Sequence, residues 1–370
     1  MLLPLVIAAF PLIAAAERFP APSGPHQVGI TQHIFNHTTP NDPVAPANAS
    51  SVLLATIYYP TLSIASPNAT APYLDPTTAE LWGTALHFPS GALESLTTWN
   101  QLGAPVMKRS EFGTSQLPTV VFSPGGGANA IIYNFLSSEL ASQGYTVVAL
   151  DHPGETPYLQ LPDGKGVYGI DITTIWNRTL ITAVYNTRVS DALAVIQELY
   201  TPYVESMGAA FNTTHFFMLG HSLGGAAAAG AMTVEASILG GANLDGLFVD
   251  IPDVRKPYLM MAGSEHTPEL DSSWSPFSMN QSGWWEWVNV TGTGHLDYSD
   301  IGDWVDLLGL RNRTITPELG GIWSPRMNHV VNSYVLRLFD FVLGGSQDGL
   351  DRPDPAFPEV VHINGSSNAA

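Results

Sequence analysis

Short apolar runs alternate with amphipathic stretches along most of this chain. Runs bounded by Gly, Pro or Asp are typical of buried strands, and a period near 3.6 is typical of helices packed on them. The strands predicted in this way are His26–His37, Val52–Tyr59, Thr119–Ser123, Thr146–Leu150, Phe216–Leu219, Ile238–Leu244, Pro257–Ala262 and Trp284–Val290. Helices are predicted over 129–144, 172–200, 304–310 and 325–344. This alternation predicts an α/β fold, a mostly parallel, doubly wound sheet with helices on both faces.

The organisation of the chain is simple. It has no internal repeat and no break in composition, so we expect one domain over residues 17–346. The irregular stretch Thr61–Gly113 is expected to cover the functional site. Gln347–Ala370 is polar and contains prolines, which predicts a loosely ordered C-terminal tail.

The strongest chemical signal is Gly220-His221-Ser222-Leu223-Gly224, which fits G-x-S-x-G. An apolar run precedes it and an alanine-rich stretch follows. This strand, turn and helix context is that of a nucleophile elbow, in which glycines let the backbone pass close to a strained serine. Ser222 is therefore the predicted nucleophile. The backbone N–H of Leu223, at the start of the helix, is a predicted donor to an oxyanion.

A nucleophilic serine needs a base, and in this fold the chain order is nucleophile, acid, base. His295 follows the last predicted strand directly and is the predicted base, whereas His329 falls on the predicted C-terminal helix. Two carboxylates could orient it. Asp245 ends the first strand after the elbow and Glu265 ends the next, and position alone does not choose between them.

A glycine-rich loop, Ser123-Pro124-Gly125-Gly126-Gly127, follows the predicted strand Thr119–Ser123. A second oxyanion donor is expected from a loop at this point of the fold. A phosphate-binding loop is excluded, because no Gly-Lys-Ser/Thr follows. His33, His37 and His266 lack the spacing of metal ligands, so no metal and no other cofactor is predicted.

The charge balance limits the possible partners. The formal net charge is −19, from 32 acidic and 13 basic residues, in a chain of 370 residues. Nucleic acids and anionic membrane surfaces would be repelled by such a protein. A small-molecule or lipid ester substrate remains compatible with the site.

The N-terminal residues indicate the compartment. Residues 1–16 are apolar and end in Ala14-Ala15-Ala16, which predicts a signal peptide and an extracellular, secreted protein. No other stretch is long and apolar enough to serve as a transmembrane anchor. The chain has no cysteine, so stability must come from a large core. N-glycosylation acceptors are predicted at Asn36, Asn48, Asn68, Asn177, Asn212, Asn280, Asn289, Asn312 and Asn364.

Several motifs in one order resemble the platelet-activating factor acetylhydrolase family of the α/β-hydrolase fold, the extracellular type more than others. They are SPGGG, DHPGE, GHSLGGA, NLDG, GSEH and GTGHLDYSD, within Val52–Gly344. In that family the acid ends the strand after the elbow helix in a Leu-Asp pair. The resemblance therefore implies Asp245 as the acid, and Gly126 and Leu223 as the oxyanion donors. Pro124 departs from the family, where many members have histidine.

The resemblance implies a secreted serine esterase with a Ser-His-Asp triad, acting on short acyl esters such as the sn-2 acetyl of an ether phospholipid. A cutinase-like or polyester-degrading hydrolase would use the same chemistry in an open groove. A catalytically silent binding protein of the same fold is the third hypothesis, and the presence of Ser222, Asp245 and His295 together argues against it.

Overall fold

Ten strands form one large sheet at the centre of the molecule. The computed structural model describes residues 17–64, 71–109, 116–171, 174–264, 266–311 and 318–366. The strands of the sheet, in chain order, are β1 (Gln27–Asn36), β2 (Val52–Thr61), β5 (Gln101–Leu102), β6 (Thr119–Ser123), β7 (Thr146–Asp151), β10 (Phe216–His221), β11 (Ile238–Leu244), β12 (Tyr258–Ala262), β13 (Trp285–Val290) and β14 (Val360–Gly365). Two small sheets pair β3 (Ala71–Pro72) with β4 (Thr97–Thr98) and β8 (Tyr158–Gln160) with β9 (Gly166–Tyr168).

The spatial order across the large sheet is β14-β13-β12-β11-β10-β6-β7-β2-β1-β5. The six strands from β13 to β7 in this order run parallel. The pairs β14–β13, β7–β2 and β2–β1 are antiparallel, and the short β5 pairs in parallel with β1. Five of the six parallel strands are buried along their whole length, and β11 is buried except at Leu239, which explains their apolar sequences. Their carboxyl ends meet at one edge, where ligand sites of this architecture form.

Helices cover both faces of the sheet. They are α1 (Pro76–Ala85), α2 (Asn134–Ser142), α3 (Arg178–Ala194), α4 (Tyr200–Met207), α5 (Leu223–Val234), α6 (Trp274–Met279), α7 (Ile301–Leu307) and α8 (Ser324–Val342). One π-helical turn, Val195–Leu199, joins α3 to α4. Helices α2, α7 and α8 pack on one face, where Phe122 and Phe217 point, and α3 to α6 pack on the other, where Val121 and Met218 point. The predicted fold class is confirmed.

The prediction of a loosely ordered C-terminal tail is wrong for the residues that the structure describes. Within the described part of 347–370, Leu350 and Phe357 are buried in the core, and β14 extends the sheet by pairing with β13. Two arginines of α8 also hold the segment, Arg326 to Glu359 and Arg337 to Asp354. The few apolar residues here are widely spaced, so composition suggests disorder. The open edge of β13 supplies the backbone partners that order the strand.

Some predicted features lie outside the described residues. They are the apolar segment 1–16, Glu265, and the sequon asparagines Asn68 and Asn312. Among the helices that the structure does describe, none is both long and apolar enough to cross a bilayer.

Candidate active site

Ser222 occupies a sharp turn between β10 and α5. Its backbone has φ 54° and ψ −127°, a region that non-glycine residues rarely adopt. Its N–H donates to the carbonyl of Leu244 at 2.9 Å, and its own carbonyl accepts from the N–H of Gly225 at 2.9 Å. These bonds hold the strained residue at the carboxyl end of β10, as expected for a nucleophile elbow.

The glycines beside Ser222 are required by close backbone contacts. A Cβ on Gly220 would lie 2.2 Å from the backbone of Gly224, and a Cβ on Gly224 would lie 2.0 Å from the carbonyl oxygen of Ser123. Real Cβ atoms do not approach other atoms so closely, so neither position accepts a larger residue without moving the turn. The G-x-S-x-G pattern therefore has a steric cause in this chain.

Asp245 and His295 come together at the same edge of the sheet. Nδ1 of His295 lies 2.8 Å from Oδ2 of Asp245. Asp245 follows β11 with φ 54° and is buried, and its N–H donates to the carbonyl of Met261 at 2.8 Å. His295 begins a short 3₁₀ turn after β13, and its side chain is one-quarter exposed. This arrangement fixes the ring of His295 with Nδ1 toward the carboxylate.

The carboxylate of Asp245 is stabilised in its charged form. Burial raises the pKa of Asp245, but the hydrogen bond and charge of His295, the charge of His266 and the N–H of Gly263 outweigh it, so the pKa lies below its usual value. The Gly263 N–H donates to Oδ1, and a Cβ on Gly263 would lie 3.1 Å from that oxygen. Asp245 therefore carries its negative charge near neutral pH.

Two backbone amides are available for an oxyanion. Gly126 lies with Ser222 and His295 in the wall of one cavity, and Leu223 is the first residue of α5. Among the described residues, no group accepts a hydrogen bond from either amide. The first N–H groups of a helix have no intrahelical partner, so Leu223 can donate to a bound anion.

A buried arginine holds the loop that carries Gly126. Arg188 of α3 donates from Nη1 to the carbonyl of Pro124 and from Nη2 to the carbonyl of Gly125 at 2.9 Å. Its Nε and Nη2 also contact Glu155, and both side chains are only 1% exposed. The guanidinium thus fixes the orientation of the two peptide units that precede Gly126.

We expect Arg188→Lys to reduce kcat about 10- to 100-fold with little change in KM, because one ammonium group cannot bridge Glu155 and both carbonyls. Steady-state hydrolysis of p-nitrophenyl acetate measures this. Arg337→Lys is the control, since Arg337 pairs with Asp354 and both side chains are partly exposed. A wild-type kcat in folded Arg188→Lys would contradict the positioning role.

His221 connects the glycine loop to His295. The Gly125 N–H donates to the Tyr133 hydroxyl at 2.9 Å, that hydroxyl lies 2.9 Å from Nδ1 of His221, and Nε2 of His221 lies 3.0 Å from the carbonyl of His295. Burial, followed by the charge of His295, lowers the pKa of His221 well below its ordinary value. A neutral His221 with the proton on Nε2 satisfies every one of these bonds.

A cavity of about 440 Å³ lies over Ser222. Its lining includes Trp82 and Leu86 at the end of α1 and just beyond it, which agrees with the expectation that residues 61–113 cover the site. Trp176 lies beside the glycine loop, since a Cβ on Gly126 would be 3.5 Å from its ring. The volume is that of a small-molecule site.

Other histidines take separate positions. His33 packs against Phe35 and Tyr203, and His37 pairs with Asp191. Among the described residues, Asp245, His266 and His295 place one possible ligand atom each within 4.8 Å of one another. These three are linked by hydrogen bonds of their own, and the absence of a metal stays a prediction.

Two features of the site were missed from sequence, the Arg188 clamp and the His266 contacts. A signal for Arg188 exists, because the buried face of α3 contains Val184, Tyr185 and Ala192 at helical spacing and Arg188 falls on that face. A charged residue there indicates a buried partner. His266 has no such pattern.

Residues 120–358 match the model of the alpha/beta hydrolase family, which is more than half of the chain. The chain belongs to that family. Residues 13–158 of this alpha/beta hydrolase also match the model for platelet-activating factor acetylhydrolase, isoform II. The resemblance that the motifs indicated is thereby confirmed.

Two similar proteins have names that denote esterases. A protein of Arthroderma benhamiae named "Probable 1-alkyl-2-acetylglycerophosphocholine esterase" is 29% identical over 267 residues, which are 67% of this chain and 66% of the relative. The chain thus matches about two thirds of that relative's length. The solved structure of a ferulic acid esterase from Streptomyces cinnamoneus superposes with a TM-score of 0.79 at 26% identity, covering 95% of this chain and 100% of that one. Both comparisons support a carboxylic ester hydrolase.

Proposed function

We propose that this alpha/beta hydrolase is a secreted serine esterase that cleaves short acyl esters, such as the sn-2 acetyl of platelet-activating-factor-like phospholipids. One observation carries the proposal. Ser222 has the strained backbone of a nucleophile elbow, and it shares a cavity with a histidine whose Nδ1 is hydrogen-bonded to a buried carboxylate. A serine, a histidine and an aspartate in these relations are the parts of an acyl-transfer triad.

In the first half of the reaction, Ser222 Oγ attacks the ester carbonyl carbon and its proton passes to Nε2 of His295. The carbonyl oxygen becomes an oxyanion, which accepts hydrogen bonds from the amides of Gly126 and Leu223. Collapse of the intermediate breaks the bond to the alcohol oxygen, and Nε2 of His295 returns the proton to that oxygen. An acyl-Ser222 ester remains and the alcohol departs.

In the second half, a water molecule gives a proton to Nε2 of His295 and attacks the acyl carbon. The same two amides stabilise the second oxyanion. Collapse restores the Ser222 hydroxyl with the proton from His295 and releases the carboxylic acid. Asp245 stays ionised throughout and stabilises the imidazolium that forms twice in each cycle.

The cavity supports a compact acyl group beside a cationic alcohol. The indoles of Trp82 and Trp176 line it, as do the acidic residues Asp171 and Glu318. Aromatic faces and carboxylates both attract a quaternary ammonium group. A phosphocholine ester would present such a group.

The decisive experiment compares acyl length at a constant leaving group. We expect kcat/KM for p-nitrophenyl esters to fall by more than about tenfold between acetate or butyrate and palmitate, because the cavity lies in the range of roughly 300–1,000 Å³ typical of small ligands. Product analysis should then show acetate released from a 1-alkyl-2-acetyl choline phospholipid, and not palmitate from its 2-palmitoyl counterpart. Activity no greater than that of Ser222→Ala on every ester would refute the proposal.

A feruloyl ester is the second candidate substrate, favoured by the superposition on a ferulic acid esterase along that whole chain. Trp176 offers a flat surface beside the glycine loop, on which an aromatic acyl group could stack. Methyl ferulate and an aliphatic polyester film belong in the same substrate panel. A higher kcat/KM for methyl ferulate than for the acetyl ester would assign the acyl site to aromatic acids, and soluble products from the film would favour the cutinase-like alternative.

Secretion, the signal segment 1–16 and glycosylation are part of the proposal. Asn36, Asn48 and Asn364 are exposed. Asn212 and Asn289 are buried, and their Nδ2 groups donate to the carbonyls of Gln116 and Gly263.

We expect N-glycans at Asn36, Asn48 and Asn364, and none at Asn212 or Asn289, because a glycan on Nδ2 would replace a buried hydrogen bond. Peptide mapping of the protein from a secreting eukaryotic host, after enzymatic deglycosylation in ¹⁸O water, measures occupancy at each site. Secretion without any glycan would contradict this prediction, as would full occupancy at Asn289.

A further inference from the structure

His266 lies beside the candidate acid, in a position where both of its ring nitrogens face oxygen atoms. It follows β12, the strand next to β11, and its side chain is 13% exposed. Nδ1 contacts Oδ2 of Asp271. Nε2 lies 3.0 Å from the backbone carbonyl of Asp245 and 3.8 Å from Oδ1 of the same residue.

These contacts determine the protonation of His266. A carboxylate and a carbonyl oxygen can only accept hydrogen bonds, so each ring nitrogen must carry a hydrogen atom. The ring is therefore an imidazolium cation. Burial lowers the pKa of His266, but the hydrogen bond to Asp271 and the charges of Asp245 and Asp271 outweigh it, so the pKa lies above its ordinary value of 6.5.

The start of α6 and the turn before it hold the cation in place. Asp271 Oδ1 accepts hydrogen bonds from the backbone N–H and the hydroxyl of Ser273, so the carboxylate that binds His266 is itself fixed. Trp274 stacks on the His266 ring with a centroid separation of 5.1 Å and an interplanar angle of 14°. Its indole N–H donates to the carbonyl of Gly246 at 2.8 Å. The cation is thus enclosed against residues 245 and 246.

The enclosed cation acts on both parts of Asp245. Its N–H bond fixes the carbonyl of a residue whose backbone has φ 54°, and its charge lies on the Oδ1 side of the carboxylate. The Gly263 N–H also donates a hydrogen bond to Oδ1, so the other oxygen, Oδ2, is directed to Nδ1 of His295. The titratable groups that face His266 among the described residues are Asp245 and Asp271, with His295 and His221 beyond Asp245.

We propose that His266, held as an imidazolium by Asp271 and Trp274, is a positioning residue that keeps Asp245 ionised and aimed at His295. The inference rests on the ester hydrolysis proposed above. It assigns a second histidine–aspartate pair to the site, one that acts through Asp245 and does not touch the substrate.

The sign of the pH dependence follows from the cation. As pH rises through the raised pKa of His266, the ring loses a proton and one of its two hydrogen bonds, so the positioning of Asp245 weakens. In a profile recorded from roughly pH 5 to 10, we expect kcat for p-nitrophenyl acetate in the wild type to decline at the alkaline end. Asp271→Asn should move this alkaline limb to lower pH, since the amide no longer favours the cation. It keeps the side-chain oxygen that accepts from Ser273.

His266→Gln tests the charge most directly, because glutamine can still donate to the Asp245 carbonyl but is neutral. We expect kcat to fall roughly tenfold with little change in KM and the alkaline limb to disappear. His362→Gln is the matched control, since it removes another buried histidine–carboxylate pair, with Glu286 at the β13–β14 edge, and should leave the profile unchanged. If His266→Gln does not fold, Asp271→Asn tests the proposal instead, and the measured quantity is the pH at which its kcat declines.

Unchanged kcat and an unchanged limb in either variant would overturn the positioning role. Loss of wild-type activity on treatment with a chelator would also overturn it, because His266 would then be acting as a metal ligand with Asp245 and His295. The proposed function fails separately. A wild-type protein without Ser222-dependent hydrolysis would refute both proposals. Hydrolysis by the wild type, with kcat and the alkaline limb unchanged in His266→Gln and Asp271→Asn, would refute only the positioning role of His266.

Discussion

Ser222→Ala is expected to lower kcat for p-nitrophenyl acetate by about 10⁴ or more while the protein stays folded. The hydroxyl is the atom that forms the acyl-enzyme, and no neighbouring group can replace it. Alanine can take the same backbone position, because the strain at φ 54° is held by the bonds to Leu244 and Gly225, which do not involve the side chain. The residual rate would come from substrate binding and the oxyanion donors.

Two measurements make this prediction sharp. A fluorophosphonate probe should label the wild type at one site and leave Ser222→Ala unlabelled, and the melting temperatures of the two proteins should agree within a few degrees. Ser299→Ala is the control, since Ser299 lines the same cavity and its hydroxyl makes only local bonds, donating to the carbonyl of Leu296 and accepting from the N–H of Ile301 at 3.4 Å. It should lose less than about tenfold. Near-wild-type turnover by Ser222→Ala would end the serine-esterase proposal.

Asp245→Asn is expected to lower kcat by about 10³ to 10⁴, the second largest effect. The amide that replaces the carboxylate has one donor group, and either of its orientations conflicts with a partner, Nδ1–H of His295 or the N–H of Gly263. His295 would then favour the wrong tautomer and lose the charge that stabilises its imidazolium. Steady-state kinetics across pH gives the effect on both kcat and the ionisation of the base.

Glu265→Gln is the matched comparison, since Glu265 is the other carboxylate that the chain order allows for the acid. We expect its kcat to stay within about tenfold of the wild type, because the described contacts of His295 Nδ1 are made by Asp245. The opposite ranking of the two variants would mean that the acid lies at the end of β12 after all.

The elbow is the part of the site most readily predicted from sequence, because its causes are local. Gly220 and Gly224 are needed because the backbone passes close to them within a few residues of Ser222 or on the adjacent strand. The geometry of the turn therefore requires glycine at the positions that define the motif. The buried parallel strands could also be predicted from sequence, because both faces of each strand are covered and its apolar run is therefore continuous. His295 could be anticipated because its loop follows the last parallel strand directly.

The choice between Asp245 and Glu265 was not accessible from the residues alone. Parallel strands end at one edge, so the chain order alone allows an acid after either β11 or β12 to orient the same histidine. Only the resemblance to a family favoured Asp245, and the structure brings its Oδ2 to 2.8 Å from His295 Nδ1. The separation of 50 residues between them leaves no local pattern from which this contact could be inferred.

The sequence by itself therefore determined the fold class, the elbow and the order of the candidate residues, because each depends on neighbours along the chain or on strand ends. The tertiary structure alone decided three other things. It brought Arg188 under the glycine loop from 63 residues away, it set β14 on the open edge of β13, and it placed the carbonyl of Asp245 against His266 from 21 residues away. In each case a polar group or strand edge is satisfied by a partner distant in sequence, and such pairings exist only once the chain has packed.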